Sequence, residues 1–406
     1  MKKTLFMLCI IIAMAINTNA QWTLQISGKT NDFYSVYFID ANNGFVVGDD
    51  DQAGSGGMIL KTTNGGTTWT PQVSNTYSIL NSVRFTDVNT GYIVGGSGLI
   101  LKTTNGGTLW TPLTSTATGN LKSIFFTSAT TAYVVGSGGT IIKTINSGSS
   151  WTAQTSGRTN FLKSVYFINS TTGFAVGDSG TILKTINGGT NWTAQNSGIT
   201  GSYNNLNSVY FTDVNTGYAV GQSGKIIKTI NGGTTWTAQT SGVSNDIFSI
   251  YFVDANNGYA AGWNKVLKTI NGGTTWTIQN TGISGTNDNL NNIFFINSNT
   301  GFTVGNKGRI LKTTNGGGLA ISENIKEKHF SIYPNPVSEI LSINTDNFNN
   351  ADLILSVYNL TGELVISEAL NQNEHKINVN SLTNGIYIVE IKSDEWTEKQ
   401  KLIIQR

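Results

Sequence analysis

The sequence predicts an all-β fold: a seven-bladed β-propeller closed by its N-terminal strand, followed by a small C-terminal β-sandwich. Three observations predict it. A Lys-Thr-x-Asn-x-Gly string recurs seven times, starting at Lys61, Lys102, Lys143, Lys184, Lys228, Lys268 and Lys312. A period of about 40 to 45 residues with several short strands per unit marks a propeller. A Trp follows each Lys by eight residues (Trp69, Trp110, Trp151, Trp192, Trp236 and Trp276), except after Lys312, where Ala320 stands. A strand of the missing type, Trp22-Thr23-Leu24-Gln25, lies ahead of the first repeat.

Each repeat reads as four strands. In the fifth, residues 206–211 alternate and are rich in β-formers, 213–217 form a hairpin turn, and 218–221 are a second strand. Residues 222–224 turn again, 225–229 are a third strand, and the Asn231-Gly232-Gly233 turn leads into Trp236 and the fourth. Short strands bounded by Asn/Gly turns read as an antiparallel meander. The Asn of each turn (Asn64, Asn105, Asn146, Asn187, Asn231, Asn271 and Asn315) can bond the backbone ahead of it. The Gly after it accepts positive φ. The Trp buries a large ring between sheets. A ring must join its last sheet to its first or leave two open edges. Trp22 and the residues after it are therefore expected to complete the blade ending near Thr314.

The chain ends set an address. Lys2 and Lys3 precede an apolar run to about Ile16 and then Asn17-Thr18-Asn19-Ala20, a signal-peptide pattern over residues 1–20. The run is shorter than the ~20 residues a span needs, so the mature chain is expected to have no transmembrane segment. Cys9, the single cysteine, leaves with it. Charged residues are 12% of the chain, and once Lys2 and Lys3 are removed the basic and acidic residues balance. That argues against a nucleic-acid partner held by counterion release. The first glutamate is Glu323, just after Gly316-Gly317-Gly318, which places a boundary between a propeller over 21–320 and a second domain over 321–406.

The repeats disagree in length at two connections only. Gly48 to Lys61 is longer than its counterparts, Gly262 to Lys268 is shorter, and Trp192 to Ser208 and Trp276 to Asn292 are extended. Alternate turns of a meander fall on opposite faces, so the variation lies on one face, the candidate working surface. The ligand-contact candidates there are Asp49, Asp50, Asp51, Asp178, Tyr203, Trp263 and Asp288, centred on the arc of blades five, six, seven and one. Asp49-Asp50-Asp51 reads as a solvated loop rather than a calcium site, which needs about six oxygens. Trp263 is either a plug in the central channel or a platform for a sugar. The seven repeated lysines read as rim positions of the repeat. No metal and no cofactor is expected, and the protein is expected to be a monomer.

Histidine occurs only at His329 and His375, so no His triad or His metal cluster can form in the repeats. A glycosidase would have to pair two carboxylates chosen among Asp32, Asp49, Asp50, Asp51, Asp178, Asp246 and Asp288. This is the alternative to a non-enzymatic ligand-binding role.

The string Thr62-Thr63-Asn64-Gly65-Gly66-Thr67-Thr68-Trp69 resembles the Asp-box of sialidases and related propellers, with Asn in place of Asp in all seven copies. That resemblance implies a structural turn away from any catalytic face. Arg84, Arg158 and Arg309 do not form the arginine trio of sialidases, since Arg84 lies in a first strand. Secreted xyloglucanases share the repeat but use two propellers in tandem. The repeats over 22–320 also resemble the photosystem II assembly factors, single propellers that bind a partner. This implies a binding role without the photosynthetic one.

Seven strands are expected in the tail, over 330–333, 340–344, 353–358, 363–368, 375–379, 386–391 and 399–404, as a sandwich. Tyr333-Pro334-Asn335-Pro336 is expected to be extended and rigid. This string, Gly362 in Asn359-Leu360-Thr361-Gly362, Gly385 and Tyr387 in Gly385-Ile386-Tyr387, and the terminal Lys401-Leu402-Ile403-Ile404 resemble the type A C-terminal sorting domain of the type IX (Por) secretion system. The resemblance implies the type IX translocon as a partner, after Sec export, and a secreted or cell-surface location. The ligand expected there is an extracellular glycan or protein.

Overall fold

The computed structural model describes residues 22–49, 56–200, 203–283, 288–318, 330–345, 353–370, 374–393 and 397–406. The signal segment, Asp50, Asp51 and Trp396 lie outside them. The chain divides into two compact units, Met1–Ala320 and Ile321–Arg406.

Seven four-stranded antiparallel sheets form the first unit. Blade one runs Phe33–Phe38, Gly44–Asp49, Gly57–Thr62 and Thr70–Gln72. Blades two to six repeat this order from Leu80, Leu121, Leu162, Leu206 and Ile247. Blade seven has Leu290–Phe295, Gly301–Gly305 and Ile310–Thr313 and takes Thr23–Gln25 as its fourth strand, in the register Thr23↔Lys312, Leu24↔Leu311 and Gln25↔Ile310. Trp22 is buried there among Tyr259, Leu290, Phe295 and Leu311, the slot that the other Trp residues fill in their own blades.

The turn before each Trp explains why the string recurs. Thr62 Oγ1 accepts the Gly66 N–H (2.9 Å), and Asn64 Oδ1 accepts the Thr68 N–H (2.9 Å), which folds the loop back on itself. Gly66 has φ of 84°, and a Cβ there would stand 2.7 Å from the Phe302 ring of the neighbouring blade. Trp110 meets Phe45 edge-on at 6.1 Å in the same way, so each blade's indole packs on the blade before it. All seven indole N–H groups are buried without a hydrogen-bond acceptor among the described residues. The position is therefore filled for its packing and not for its polarity.

The repeated lysines are not a rim. Each Nζ donates to a backbone carbonyl in the Asn-Gly turn of the next blade, at 2.6 to 2.9 Å, and lies 5.2 to 5.6 Å from an aromatic ring of its own blade. Lys312 reaches Gly65, so blade seven is tied to blade one by the contact used everywhere else. Phe302 of blade seven stacks on Phe38 of blade one at 4.1 Å across the same seam.

The second unit has a three-stranded sheet (Phe330–Tyr333, Ile340–Thr345, Glu374–Asn378) and a four-stranded sheet (Leu353–Asn359, Leu364–Leu370, Gly385–Lys392, Thr397–Ile404). Phe330, Leu341, Leu355, Val389 and Leu402 share its core. The Tyr333–Pro336 segment is a bend with both X–Pro bonds cis, not the extended stretch expected. Asn335 in that bend donates to Lys401 O (2.7 Å) and accepts the Ile403 N–H (2.9 Å), which pins the last strand. The Tyr333 hydroxyl donates to Glu374, the Tyr387 hydroxyl donates to Thr383 O, Gly362 turns at φ of 85°, and Gly385 pairs with Ile404.

Trp22→Ala should lower the unfolding free energy in urea by about 3–5 kcal/mol, the usual loss for a buried Trp. Leu24→Ala, on the exposed side of the same strand, should change it by less than about 0.5 kcal/mol.

Candidate functional site

The first strand of every blade carries a register shift. In blade one, Phe33 pairs with Gly48 and Ser35 with Val47, so Tyr34 is an extra residue with no partner across the ladder. The same shift occurs in all seven blades. A bulge of this kind re-aims a side chain and is common beside functional sites. Here it turns Tyr34, Asn81, Lys122, Lys163, Asn207, Phe248 and Asn291 into one central cavity of about 490 Å³.

In six blades the residue after the bulge accepts a backbone N–H of the next blade and holds the hub together. The Val83 N–H donates to Ser35 Oγ (3.3 Å), Val165 to Ser123 (3.4 Å), Val209 to Ser164 (3.2 Å), Ile250 to Ser208 (3.3 Å) and Ile293 to Ser249 (3.3 Å). The Val36 N–H donates to Asn292 Oδ1 (3.0 Å), across the seam. Two residues deeper lies an aromatic belt: Phe125, Tyr166, Tyr210, Tyr251, Phe294 and Tyr37, with neighbouring ring centroids 4.9 to 5.5 Å apart. Burial pushes the hydroxyls of Tyr166, Tyr210 and Tyr251 up, so they stay neutral donors, each to a carbonyl of the next blade. The seventh belt residue is Arg84, its guanidinium 5.3 Å from the Tyr37 ring centroid.

Positive charge thus enters the cavity from three successive blades. Burial holds Arg84 below its ordinary value, while Tyr37 and Tyr251 pull the other way. Burial, with repulsion from Lys163, pushes Lys122 down to about 8. Lys122 Nζ bonds Asn81 Oδ1 (3.3 Å) and lies 5.1 Å from the Tyr34 ring centroid. Lys163 is paired with Asp178 at 2.7 Å and bonds Asn207.

The expected site residues separate in the structure. Asp178 faces the channel through Lys163. Asp49 ends the second strand of blade one and accepts the Tyr34 hydroxyl (2.8 Å); burial, and then this bond, push that phenol up. Asp288 is a correction: it is fully buried, bound by Lys307 (2.9 Å) and Arg309 (2.8 Å), and holds a loop in place. Burial pushes its carboxyl up, but the two cations outweigh this and keep it below the usual range. Trp263 is no plug. It is 37% exposed, forms a bridge with Asn289, and stands beside Val243 and Ile247 outside the channel. Tyr203 is exposed, and its carbonyl takes the Lys225 amine (2.6 Å).

The loops of blades six, seven and one do meet. The Asn264 N–H donates to Asp288 O (2.9 Å) and the Lys307 N–H to Asp32 Oδ1 (3.0 Å). Asp50 and Asp51 lie outside the described residues. Arg84 is the residue that sequence reasoning misplaced: a first strand is where the channel is lined. Aligned on the repeat, the residue before each first-strand Ser or Asn changes from Tyr to Asn to Lys to Phe, and Arg interrupts six aromatics. That alignment was the signal.

Seven sheets stitched by Asn-Gly turns and indoles define an Asp-box β-propeller, and a sandwich follows it. The chain belongs to the family described as photosynthesis system II assembly factor YCF48, whose model matches residues 14–166 and 157–242. Residues 331–405 match the secretion system C-terminal sorting domain. A solved YCF48 bound to a D1 peptide is 24% identical, covering 73% of this chain and 97% of that one, with a TM-score of 0.61. YCF48 from Cyanidioschyzon merolae is 21% identical, covering 72% and 98%, with a TM-score of 0.59. The WD40 propeller of Doa1 is 13% identical, covering 71% and 96%, with a TM-score of 0.55. These likenesses show the fold. No curated protein matches the chain.

The depressed Lys122 value gives a stability signature. Between about pH 8 and its ordinary 10.5 the unfolded chain holds a proton that the folded chain has released, so stability should rise with pH there. Lys122→Met should remove that rise and raise the unfolding midpoint at pH 7, checked by thermal melts across the range.

Proposed function

We propose that this chain is a propeller displayed on the cell surface or released, which binds an extracellular ligand, a glycan or a protein, without transforming it. The sorting domain marks the chain for export by a secretion system of the type IX kind. The observation that carries the binding reading is the bulge ring. Strand order, turn length and indole position repeat from blade to blade, whereas the seven side chains aimed into the cavity do not. A scaffold that varies only where it faces a cavity and one set of loops is built to present a surface.

The described acids of the variable face favour binding over hydrolysis. Asp32 accepts the Lys307 N–H, Asp49 the Tyr34 hydroxyl and Asp246 the Ser223 N–H, while Asp178 and Asp288 are ion-paired. Each carboxylate already has a structural partner, and a glycosidase needs two facing one another with their values pushed apart. A YCF48 structure with a D1 peptide gives a precedent for a propeller of this family holding a partner.

Removing residues 321–406 should trap the chain in the periplasm, whereas the full chain should reach the surface or the medium. Immunoblots of cell fractions test this, and equal export of both forms would sink the sorting role. A glycan array and a surface-protein screen with the full chain test binding. Trp263→Ala should weaken a rim-bound hit by about 10-fold, as loss of an aromatic anchor does.

A further inference from the structure

The cavity holds an imbalance that folding does not explain. Arg84 has five N–H donors, yet it makes one hydrogen bond, to its neighbour's Val83 O at 2.9 Å, besides its contact with the Tyr37 ring. No carboxylate among the described residues pairs with it. Lys122, one blade on, bonds a neutral amide, lies beside a ring, and is repelled by Lys163. Lys163 has Asp178, so three cations line the cavity and only one of them has a paired acid among the described residues.

The repeat supplies an internal control. In six blades the belt position is Phe or Tyr, and each ring packs on a neighbouring ring. An aromatic at position 84 would continue that belt, whereas a half-buried charge without a counter-ion is disfavoured there. A residue that departs from its own repeat, lowers stability and gains no counter-ion is the expected mark of a binding group. Across the cavity stand Tyr210, Phe248 and Tyr251, which offer flat apolar surface and no charge. A volume of about 490 Å³ falls in the range of small-molecule sites.

We propose that the central cavity is a binding site for a small organic oxyanion, a carboxylate or phosphate on a planar apolar body, with the anionic group between Arg84 and Lys122 and the body against Tyr210, Phe248 and Tyr251. This rests on the reading of the chain as a binding propeller and adds a small-molecule site to it. A guanidinium takes two oxygens of such a group in parallel hydrogen bonds. The neighbouring ammonium supplies a second charge, and Asn81 and Tyr34 hold it in place. The groups facing Lys122 are Lys163 with its partner Asp178, Tyr34 with Asp49 behind it, and Asn81. Deprotonation of Lys122 should lower affinity as pH is raised from 7 to about 9.5.

Calorimetric titration of the full chain with benzoate and with phenyl phosphate tests the proposal, with benzyl alcohol as the uncharged counterpart. One or both anions should bind saturably, benzyl alcohol at least about 10-fold more weakly, and the two anions separate a carboxylate site from a phosphate site. Arg84→Phe restores the belt of the other blades and should fold at least as stably while losing about 10- to 100-fold in affinity. Arg84→Lys should keep part of it, and Leu24→Ala, on the exposed outer strand, should leave it unchanged. Equal affinity in Arg84→Phe overturns the proposal, as does the absence of saturable binding by either anion below about 10 mM at low salt. If the anions fail while the glycan or protein screen still yields a hit weakened by Trp263→Ala, the cavity assignment falls and the binding function stands. If both fail, both fall.

Discussion

A ring of sheets is only as stable as its seam, and the contact that every blade makes with the next is what the rest of this propeller depends on. A lysine from the third strand reaches a carbonyl in the neighbouring Asn-Gly turn, seven times, the last crossing from Lys312 to Gly65. The amine is partly sheltered from water, and its bond is charge-assisted, so it contributes more than a neutral pair would. At the hub, backbone N–H groups of one blade donate to Ser or Asn side chains of the blade before, again across the seam from Val36 to Asn292. Outer turns and inner strands are thereby fixed to each other independently of what the remaining surface carries.

That independence frees two sets of positions. One is the pair of loop connections on a single face, whose lengths change without disturbing the turns that hold indole and lysine. The other is the bulged residue of each first strand. Because the bulge lies outside the ladder pairing, its side chain is not needed for sheet packing and can be Tyr, Asn, Lys or Phe. The charge in the cavity is concentrated on three adjacent blades: Lys122 and Lys163 at bulged positions and Arg84 at the belt position of blade two.

The acids of the variable face show the opposite behaviour. Asp32 and Asp246 cap turns of the neighbouring blade, and Asp288 is enclosed by Lys307 and Arg309. The first two serve the joints between blades, and Asp288 fixes a turn of its own blade. Acidic residues in loops read from sequence as free surface charge, but a propeller places every loop against its neighbour, and a carboxylate there is drawn to the nearest unpaired N–H or cation.

By itself the sequence determined the number of blades, the four strands of each, the structural role of the Asn-Gly-Trp turn and the sorting character of the tail. All of these follow from local turn chemistry and a fixed period, which a linear string records. It also indicated that Trp22 matches the strand missing after Ala320, because the residue types agree. Only the tertiary structure decided which side chains face one another. That Tyr34, Lys122 and Arg84 share a cavity, that Asp288 is buried while Trp263 stands outside the channel, and that the lysines are staples all depend on contacts between residues about 20 or more positions apart. A one-residue bulge reverses the direction of a side chain without changing its neighbours in sequence, and no periodicity in the string reports it.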